Sequence, residues 1–176
     1  MCVWMLLISS LWMDPTIVWT WSVHPESSFK VMTPFPMELT ITEIPTAAAP
    51  IKYHQYRGGS VEDTTLQLAF IIDHYQLDDQ DLAGDDVYLQ EFFGLTVDEI
   101  LESVGGTLIY KDLAASAGQE MCIWKASYAD GQGIIRGKII LAGDKYYGLQ
   151  AFGLHNPLSE KNMDQFFSTF QITDQK

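Results

Sequence analysis

The chain has 176 residues, enough for one domain with an ordinary hydrophobic core and too few for two. Apolar residues make up 47% and charged residues 19%, which is the composition of a globular domain and not of a disordered chain. The net charge is −13 with only 10 Lys and Arg. This argues against nucleic acid or an anionic membrane surface as a partner, because affinity for phosphate groups depends largely on basic side chains.

The charges are unevenly distributed along the chain. No Lys or Arg lies between Arg57 and Lys111, while twelve acidic residues lie between Glu62 and Glu102. We therefore expect one face or edge of the fold to be distinctly negative. Such a surface is compatible with a basic partner, although acidic surfaces more often serve solubility.

The N-terminal residues 1–20 form an apolar segment that contains three tryptophans, and Trp21 follows directly. The run Val3–Met13 is too short to span a bilayer and has the length of the apolar core of a signal peptide. The first basic residue is Lys30, so the positive start of a signal peptide is missing. Residues 1–20 are interpreted as a truncated signal or a packing strap. Membrane association through residues 1–21 is a hypothesis, and the pattern favours an extracytoplasmic or membrane-associated location over the cytoplasm.

The first half of the domain predicts strands separated by turns. Alternating apolar residues, bounded by Pro and Gly, indicate strands over Phe29–Thr33, Glu38–Ile44, Ile51–Tyr56 and Leu66–Tyr75. Arg57-Gly58-Gly59-Ser60 is expected to break the third strand. In the last of these strands, Asp73 is placed on the face opposite the apolar one.

The second half predicts two short helices, a meander of four strands and a closing helix. The helical period covers Asp86–Phe93 and Val97–Val104, with Gly94 as an interruption and Thr96–Glu99 as a capping box. The strands are predicted at Thr107–Asp112, Glu120–Tyr128, Ile134–Leu141 and Lys145–Phe152, and Ser159 is expected to cap the closing helix. Cys122 lies on the apolar face of its strand, so it is expected to face the core. The predicted fold class is α+β: an antiparallel β-sheet flanked by helices, an α/β/α sandwich.

Candidate metal ligands are sparse. His54 and His74 lie on strands that are compatible with being neighbours, which makes a two-histidine site conceivable. Asp79 and Asp81 lie in an acidic loop, but the loop places Ala83 and Gln90 where a calcium-binding EF-hand needs oxygen ligands and Glu. A solvated acidic loop before a helix N-terminus is the better explanation. No cofactor is predicted.

No pattern predicts catalysis. The chain has no G-x-S-x-G motif, and Gly58-Gly59-Ser60 lacks the Lys of a phosphate-binding loop. Nucleophilic catalysis requires Ser or Cys beside a histidine base, and no such pair is identified from spacing. The chain is therefore predicted not to be an enzyme.

Several segments together resemble the PsbP-like domains. They are, in order, FKVMTPFP, IKYHQY, ESVGGTLIYKDL, IRGKIILAGDKYYGLQAFG and MDQFFSTFQI. The likeness covers residues 21–172, which are taken as the single domain, with 173–176 as a tail. It rests on packing and turn positions, namely Phe29, Pro34, Gly106, Tyr147, Phe167 and Phe170, so it implies a fold and no activity.

The resemblance implies an α/β/α sandwich, here of a bacterial-type member, with a binding or scaffolding role. The family's eponymous member docks on the lumenal side of photosystem II and supports its inorganic cofactors. The related Mog fold binds a small GTPase, and other relatives chaperone secretion effectors. The first hypothesis is a non-catalytic accessory domain that docks on a protein partner at or near a membrane. The alternatives are a cytosolic chaperone or adaptor that grips an apolar helix, and a small-ligand or metal-binding protein or small hydrolase with a polar pocket around His54 or His74.

Overall fold

The computed structural model describes residues 17–46, 49–60, 67–77, 86–116 and 118–173. The chain forms ten strands and two α-helices within these ranges. In chain order they are β1 Thr20–His24, β2 Phe29–Thr33, β3 Glu38–Ile44, β4 Ile51–Gly59, β5 Ala69–Gln76, α1 Asp86–Val104, β6 Thr107–Ser116, β7 Gln119–Tyr128, β8 Gly133–Ala142, β9 Lys145–Leu154, α2 Pro157–Thr169 and β10 Gln171–Ile172.

The strands form two sheets, and every strand pair is antiparallel. The large sheet has seven strands in the order β3-β4-β5-β9-β8-β7-β6, and the small sheet has the order β1-β2-β10. Strands β6 to β9 form the predicted meander, since short gaps between strands allow only antiparallel neighbours. β9 then pairs with β5, which closes the two halves of the chain into one sheet.

Each face of the large sheet has its own hydrophobic core. On one face α1 packs through Leu89, Phe93, Val97 and Leu101, which recur every four residues. On the other face α2 packs through Met163 and Phe166 together with Phe29 and Val31 of the small sheet. The predicted α+β class with an antiparallel sheet is confirmed. The sandwich is confirmed in part, because the layer that contains α2 also contains the three-stranded sheet.

The prediction of two helices between residues 86 and 104 is wrong, since α1 is continuous over 19 residues. Thr96 does not cap a second helix, because its hydroxyl donates to the Phe92 carbonyl one turn earlier, at 2.9 Å. Gly94 weakens a helix by about 1 kcal/mol relative to Ala. The buried stripe from Leu89 to Leu101 runs past Gly94 without a break, and its packing outweighs that loss.

The predicted cap of the last helix is also wrong. Asn156 is the N-cap, and its side-chain oxygen accepts a hydrogen bond from the Ser159 amide at 2.9 Å. Pro157 then occupies the first turn, where its missing N–H removes no hydrogen bond. Ser159 is buried against the sheet instead.

Gly58 and Gly59 continue β4 and do not break it. A Cβ on Gly58 would lie 2.8 Å from the Met37 sulfur and 2.9 Å from the Pro36 carbonyl oxygen. The glycine therefore allows the 35–37 turn to cross close above the strand. Among the described helices, neither is both long and apolar enough to cross a membrane.

Candidate functional site

The two histidines named as a candidate pair, His54 and His74, are direct cross-strand partners, and their ring centroids are 6.0 Å apart. Each ring uses one nitrogen in a hydrogen bond. His54 Nδ1 lies 2.9 Å from Ser27 Oγ, and His74 Nδ1 lies 2.9 Å from the Tyr146 carbonyl oxygen. Because a carbonyl only accepts, Nδ1 of His74 carries the proton. Burial lowers the pKa of His74 and so favours the neutral ring.

Ser27 is the centre of a group of contacts that joins the small sheet to the large one, which we name the Ser27 junction. It comprises Ser27, Ser28, His54, Tyr56, Tyr147 and Lys145. Ser27 is 0% exposed, and its hydroxyl lies 2.7 Å from the Tyr56 hydroxyl as well as beside His54. The Tyr147 hydroxyl donates to the Ser27 carbonyl at 3.1 Å, and the Lys145 ammonium donates to Ser28 Oγ at 3.3 Å.

The Ser27 junction brings a serine beside a histidine, which the spacing in the sequence did not reveal. A catalytic serine needs access to substrate and a histidine base oriented by a third group. Ser27 is closed off, and the nearby carboxylate of Glu26 accepts from Tyr56 and not from His54. The hydrogen bonds of Ser27 are therefore interpreted as structural contacts that connect the two sheets.

A second buried polar group lies on the opposite face of the same strands. We name it the Asp73 cluster: Asp73 with Tyr53, Gln55 and Gln150. Asp73 is only 7% exposed, and its carboxylate accepts from the Tyr53 hydroxyl at 2.5 Å and from the Gln55 amide at 2.8 Å. Its other oxygen accepts from Gln150 at 3.2 Å. Burial raises the pKa of Asp73 in spite of these donors, and it also raises the pKa of Tyr53.

The remaining candidate groups have plain structural descriptions. Among the described residues, no group of three or more His, Cys, Asp or Glu side chains is arranged to hold a metal ion. Asp79 and Asp81 lie outside the described residues, so the interpretation of their segment as a solvated acidic loop stays a prediction. Cys122 is buried as expected, and burial raises the pKa of its thiol to about 11. A thiol with that pKa is a poor nucleophile near neutral pH.

Exposed large apolar residues lie along both edges of the large sheet. All seven residues of β3 and all ten of β6 are exposed. On β6 the exposed residues include Leu108, Ile109, Tyr110 and Leu113, with Ile109 at 51% and Leu113 at 46%. An exposed edge strand also presents unpaired backbone N–H and C=O groups, which another chain can pair with.

An apolar cleft lies beside this edge, between β6, β7 and the first half of α1. We name it the β6 cleft; its lining consists of Leu89, Gln90, Phe93, Leu113, Ala114, Ala115, Glu120 and Met121. Small ligands favour concave sites, but a groove beside an open strand also fits an extended polypeptide. We take the β6 edge with its cleft as the candidate functional site. The signal in the sequence is the run Leu108-Ile109-Tyr110, three consecutive large apolar residues where a half-buried strand would alternate with polar ones.

The chain was compared with known proteins. No family model matches it, and no characterised protein matches it in sequence. Among solved structures it is similar to the solution structure of cyanobacterial PsbP (CyanoP) from Synechocystis sp. PCC 6803. The TM-score is 0.56 and the sequence identity 12%, over 94% of this chain and 98% of that one. At this identity the likeness concerns the fold and not the activity. The chain therefore has the PsbP-like fold.

Proposed function

We propose that this protein is a non-catalytic accessory domain that docks on a protein partner. The observation that carries the proposal is the exposed apolar edge at β6, where four large apolar side chains lie on one strand. Apolar patches on a soluble domain frequently mark interaction surfaces. The two buried polar groups support the same proposal, since their hydrogen bonds are used inside the fold.

The partner is proposed to be a protein and not a nucleic acid. The chain carries a net charge of −13, and α1, which forms one wall of the β6 cleft, has four exposed acidic side chains. These are Glu91, Asp98, Glu99 and Glu102. A phosphate backbone would be repelled by this surface, whereas a protein with basic residues would be attracted.

Extracytoplasmic or membrane-associated location is part of the proposal. Val18, Trp21 and Val23 are exposed where the chain enters the domain, and the apolar run Val3–Met13 precedes them outside the described residues. Exposed Trp is suited to a membrane interface. Fractionation of the native host tests this. Recovery only in the cytosol, with the N-terminus uncleaved, would contradict it.

A cytosolic chaperone or adaptor that grips an apolar helix is the second candidate. It is favoured by the apolar lining of the β6 cleft, where Leu89, Phe93 and Leu113 meet. A helix in a groove makes contact through side chains at intervals of three and four residues and leaves the edge backbone unpaired. This difference allows the two binding modes to be separated experimentally.

Photo-crosslinking in the native host tests the docking function. A photoreactive residue replaces Leu108 or Leu113 on β6, and Leu158 on α2 serves as a matched control because it is an equally exposed leucine. We expect the same protein adduct from both β6 positions and none from position 158. Absence of a protein adduct at both β6 positions, or equal adducts at all three, would overturn the proposal.

A further inference from the structure

The geometry points to the second half of β6, Leu113–Ser116, as the receptor for an extended, basic segment of a partner protein that pairs with it as an eighth strand of the large sheet. This inference rests on the proposed docking function and goes further, because it specifies the binding mode and the chemistry of the partner. The surface is the β6 edge with the β6 cleft.

The backbone of β6 is available on one side. β6 is the last strand in the order of the large sheet and pairs only with β7 among the described residues. Its first half carries features that hinder edge pairing: a register shift between Leu108 and Tyr110, and the charges of Lys111 and Asp112. From Leu113 to Ser116 there is no charge, Pro or register shift. Ala114 and Ala115 are small and allow another backbone to approach closely.

The β6 cleft would receive side chains of the added strand. Leu113 is opposite Cys122 in register, and Cys122 packs in the core under α1, so the Leu113 side chain lies on the α1 side of the sheet. There it borders Leu89 and Phe93 of α1. Residues of an added strand point alternately to the two faces, so every second one would lie over this cleft. Apolar side chains at those positions would bury surface in the cleft, which favours binding.

The negative charge of α1, which forms one wall of the cleft, favours a basic partner. α1 has no Lys or Arg over its 19 residues, and Glu91, Asp98, Glu99 and Glu102 are exposed. Glu102 lies in the last turn, where the helix dipole disfavours negative charge. Glu102 therefore does not stabilise the helix itself. Glu120 adds a further carboxylate to the cleft.

The basic groups near the cleft do not neutralise it. Lys111 lies on the α1 side, with its ammonium 3.5 Å from the position of a Cβ on Gly94, and it is one positive charge against the acids of α1. Lys125 pairs with Glu160 of α2 on the other face of the sheet. A second copy of the chain would bring the same acidic helix, so like charges disfavour self-association here.

The opposite edge, β3, lacks this charge asymmetry. Glu38 is the register partner of Arg57, and Glu43 is the register partner of Lys52. Each acid of β3 therefore has a basic residue opposite it on β4. An extended segment at β3 would meet no net charge, so β6 is the edge that distinguishes a basic partner from a neutral one.

The test uses the full chain and two synthetic peptides of about eight residues, the length of an ordinary strand. In the first, Lys alternates with Val and Leu; in the second, Glu replaces each Lys. Fluorescence anisotropy measures the Kd, and amide hydrogen exchange shows where the peptide binds. We expect the Lys peptide to bind with a Kd below about 1 mM. We also expect the Lys peptide to slow amide hydrogen exchange in Leu113–Ser116 and the Glu peptide to leave that exchange unchanged.

Matched variants connect the binding to this edge. Leu113→Lys should weaken the Lys peptide about tenfold or more, because it removes an apolar contact and adds repulsion. Leu158→Lys makes the same substitution on α2, at a leucine 52% exposed, and should leave the Kd within about twofold of the unmodified chain. Both residues are exposed, so neither variant is expected to unfold the protein; circular dichroism checks this.

Four results would overturn the inference. They are no binding of the Lys peptide at about 1 mM, equal binding of the Glu peptide, equal weakening by the two variants, and binding without slowed exchange on β6. Concentration-dependent dimerisation that protects β6 without peptide would also overturn it, in favour of a second copy. The docking function is tested separately by the photo-crosslinking experiment. If positions 108 and 113 give adducts but the peptide experiment gives one of the contradicting results, the docking function is retained and only strand addition by a basic segment is rejected.

Discussion

Strands β4 and β5 carry a buried polar group on each face of the large sheet, and the two groups are built differently. On the side of the small sheet, His54 and Tyr56 belong to the Ser27 junction and His74 borders it. The side chains of the junction are hydroxyls and one histidine ring, apart from the Lys145 ammonium. Toward α1, Tyr53 and Gln55 hydrogen-bond to Asp73, a carboxylate that is almost fully buried. Neutral partners exchange hydrogen bonds of ordinary strength, whereas bonds to a carboxylate are stronger and more costly to leave unmade.

The difference shows how one pair of strands uses polar residues for two purposes. The Ser27 junction connects two sheets and involves residues of β4, of β9 and of the turn directly before β2. The Asp73 cluster joins three adjacent strands of a single sheet, β4, β5 and β9. Loss of the carboxylate should therefore be the more damaging change, and the pH dependence of the two groups should have opposite signs.

The largest effect is expected for Asp73→Ala. The substitution leaves the Tyr53 hydroxyl and the amides of Gln55 and Gln150 without their acceptor. We expect the free energy of unfolding to fall by about 2–4 kcal/mol at neutral pH. Urea unfolding followed by circular dichroism measures it.

Asp164→Ala is the matched control for this prediction. Asp164 pairs with Arg136 on the surface, and its side chain is 66% exposed. An exposed pair of this kind contributes at most about 1 kcal/mol. Equal losses for the two variants would show that the buried hydrogen bonds of Asp73 contribute no more than a surface ion pair.

Much of the fold follows from periodicity and turn residues. The bounds of β2 and β3 were predicted correctly, because Pro34 and Pro36 separate two clearly alternating segments. β1 was not predicted, because its apolar residues point away from the core. Trp21 and Val23 are exposed, while Ser22 and His24 are half-buried. The usual relation between hydrophobicity and burial is inverted there.

The sites were harder to predict than the strands, for a physical reason. Asp73 was placed on the face away from the core, and its burial depends on donors that are 18, 20 and 77 residues away. Ser27 likewise meets His54 and Tyr56 only when the small sheet packs on the large one. The pairing of β5 with β9, which places Gln150 beside Asp73, has no local signal in either strand. His54 and His74 were recognised as possible neighbours because their strands are consecutive, and the structure makes them register partners.

A smaller effect is expected from removal of a single hydroxyl in each group. Tyr53→Phe removes a donor to the buried carboxylate, and Tyr56→Phe removes a hydroxyl that faces Ser27 and Glu26. We expect losses of about 2 kcal/mol for Tyr53→Phe and about 1 kcal/mol for Tyr56→Phe. The Asp73 carboxylate is buried and 2.5 Å from the Tyr53 hydroxyl, whereas Glu26 is 3.1 Å from the Tyr56 hydroxyl and its side chain is 47% exposed. Thermal and urea unfolding of both variants measure the difference. A larger loss for Tyr56→Phe would reverse the ranking of the two groups.

The pH dependence of the Asp73 cluster gives the next prediction. Burial raises the pKa of Asp73 above its ordinary value of 3.8, so the folded protein holds this proton more tightly than the unfolded chain. The protonated form of Asp73 therefore adds stability that is fully present below pH 3.8 and is lost as the pH rises through the folded pKa, while the hydrogen bonds accepted from Tyr53, Gln55 and Gln150 remain. Asp73→Asn has no titrating group there, so the stability of the original chain relative to this variant should decline as the pH rises from 3.8.

The smallest effect is expected for the pH dependence of stability that is due to His74, and its sign is opposite to that of Asp73. Burial lowers the pKa of His74 below 6.5, and the nearby charges of His54 and Lys145 act in the same direction, against the Tyr146 carbonyl and Asp144. The unfolded chain therefore binds this proton more tightly, and the contribution of His74 is present above pH 6.5 and lost as the pH falls through the folded pKa. His74→Gln should reduce the loss of stability below pH 6.5 only in part, because burial lowers the pKa of His24 as well. Urea titrations of the original chain and of His74→Gln between about pH 5 and pH 7 measure this. If the pH dependence of stability is the same for both, the acid sensitivity does not come from His74.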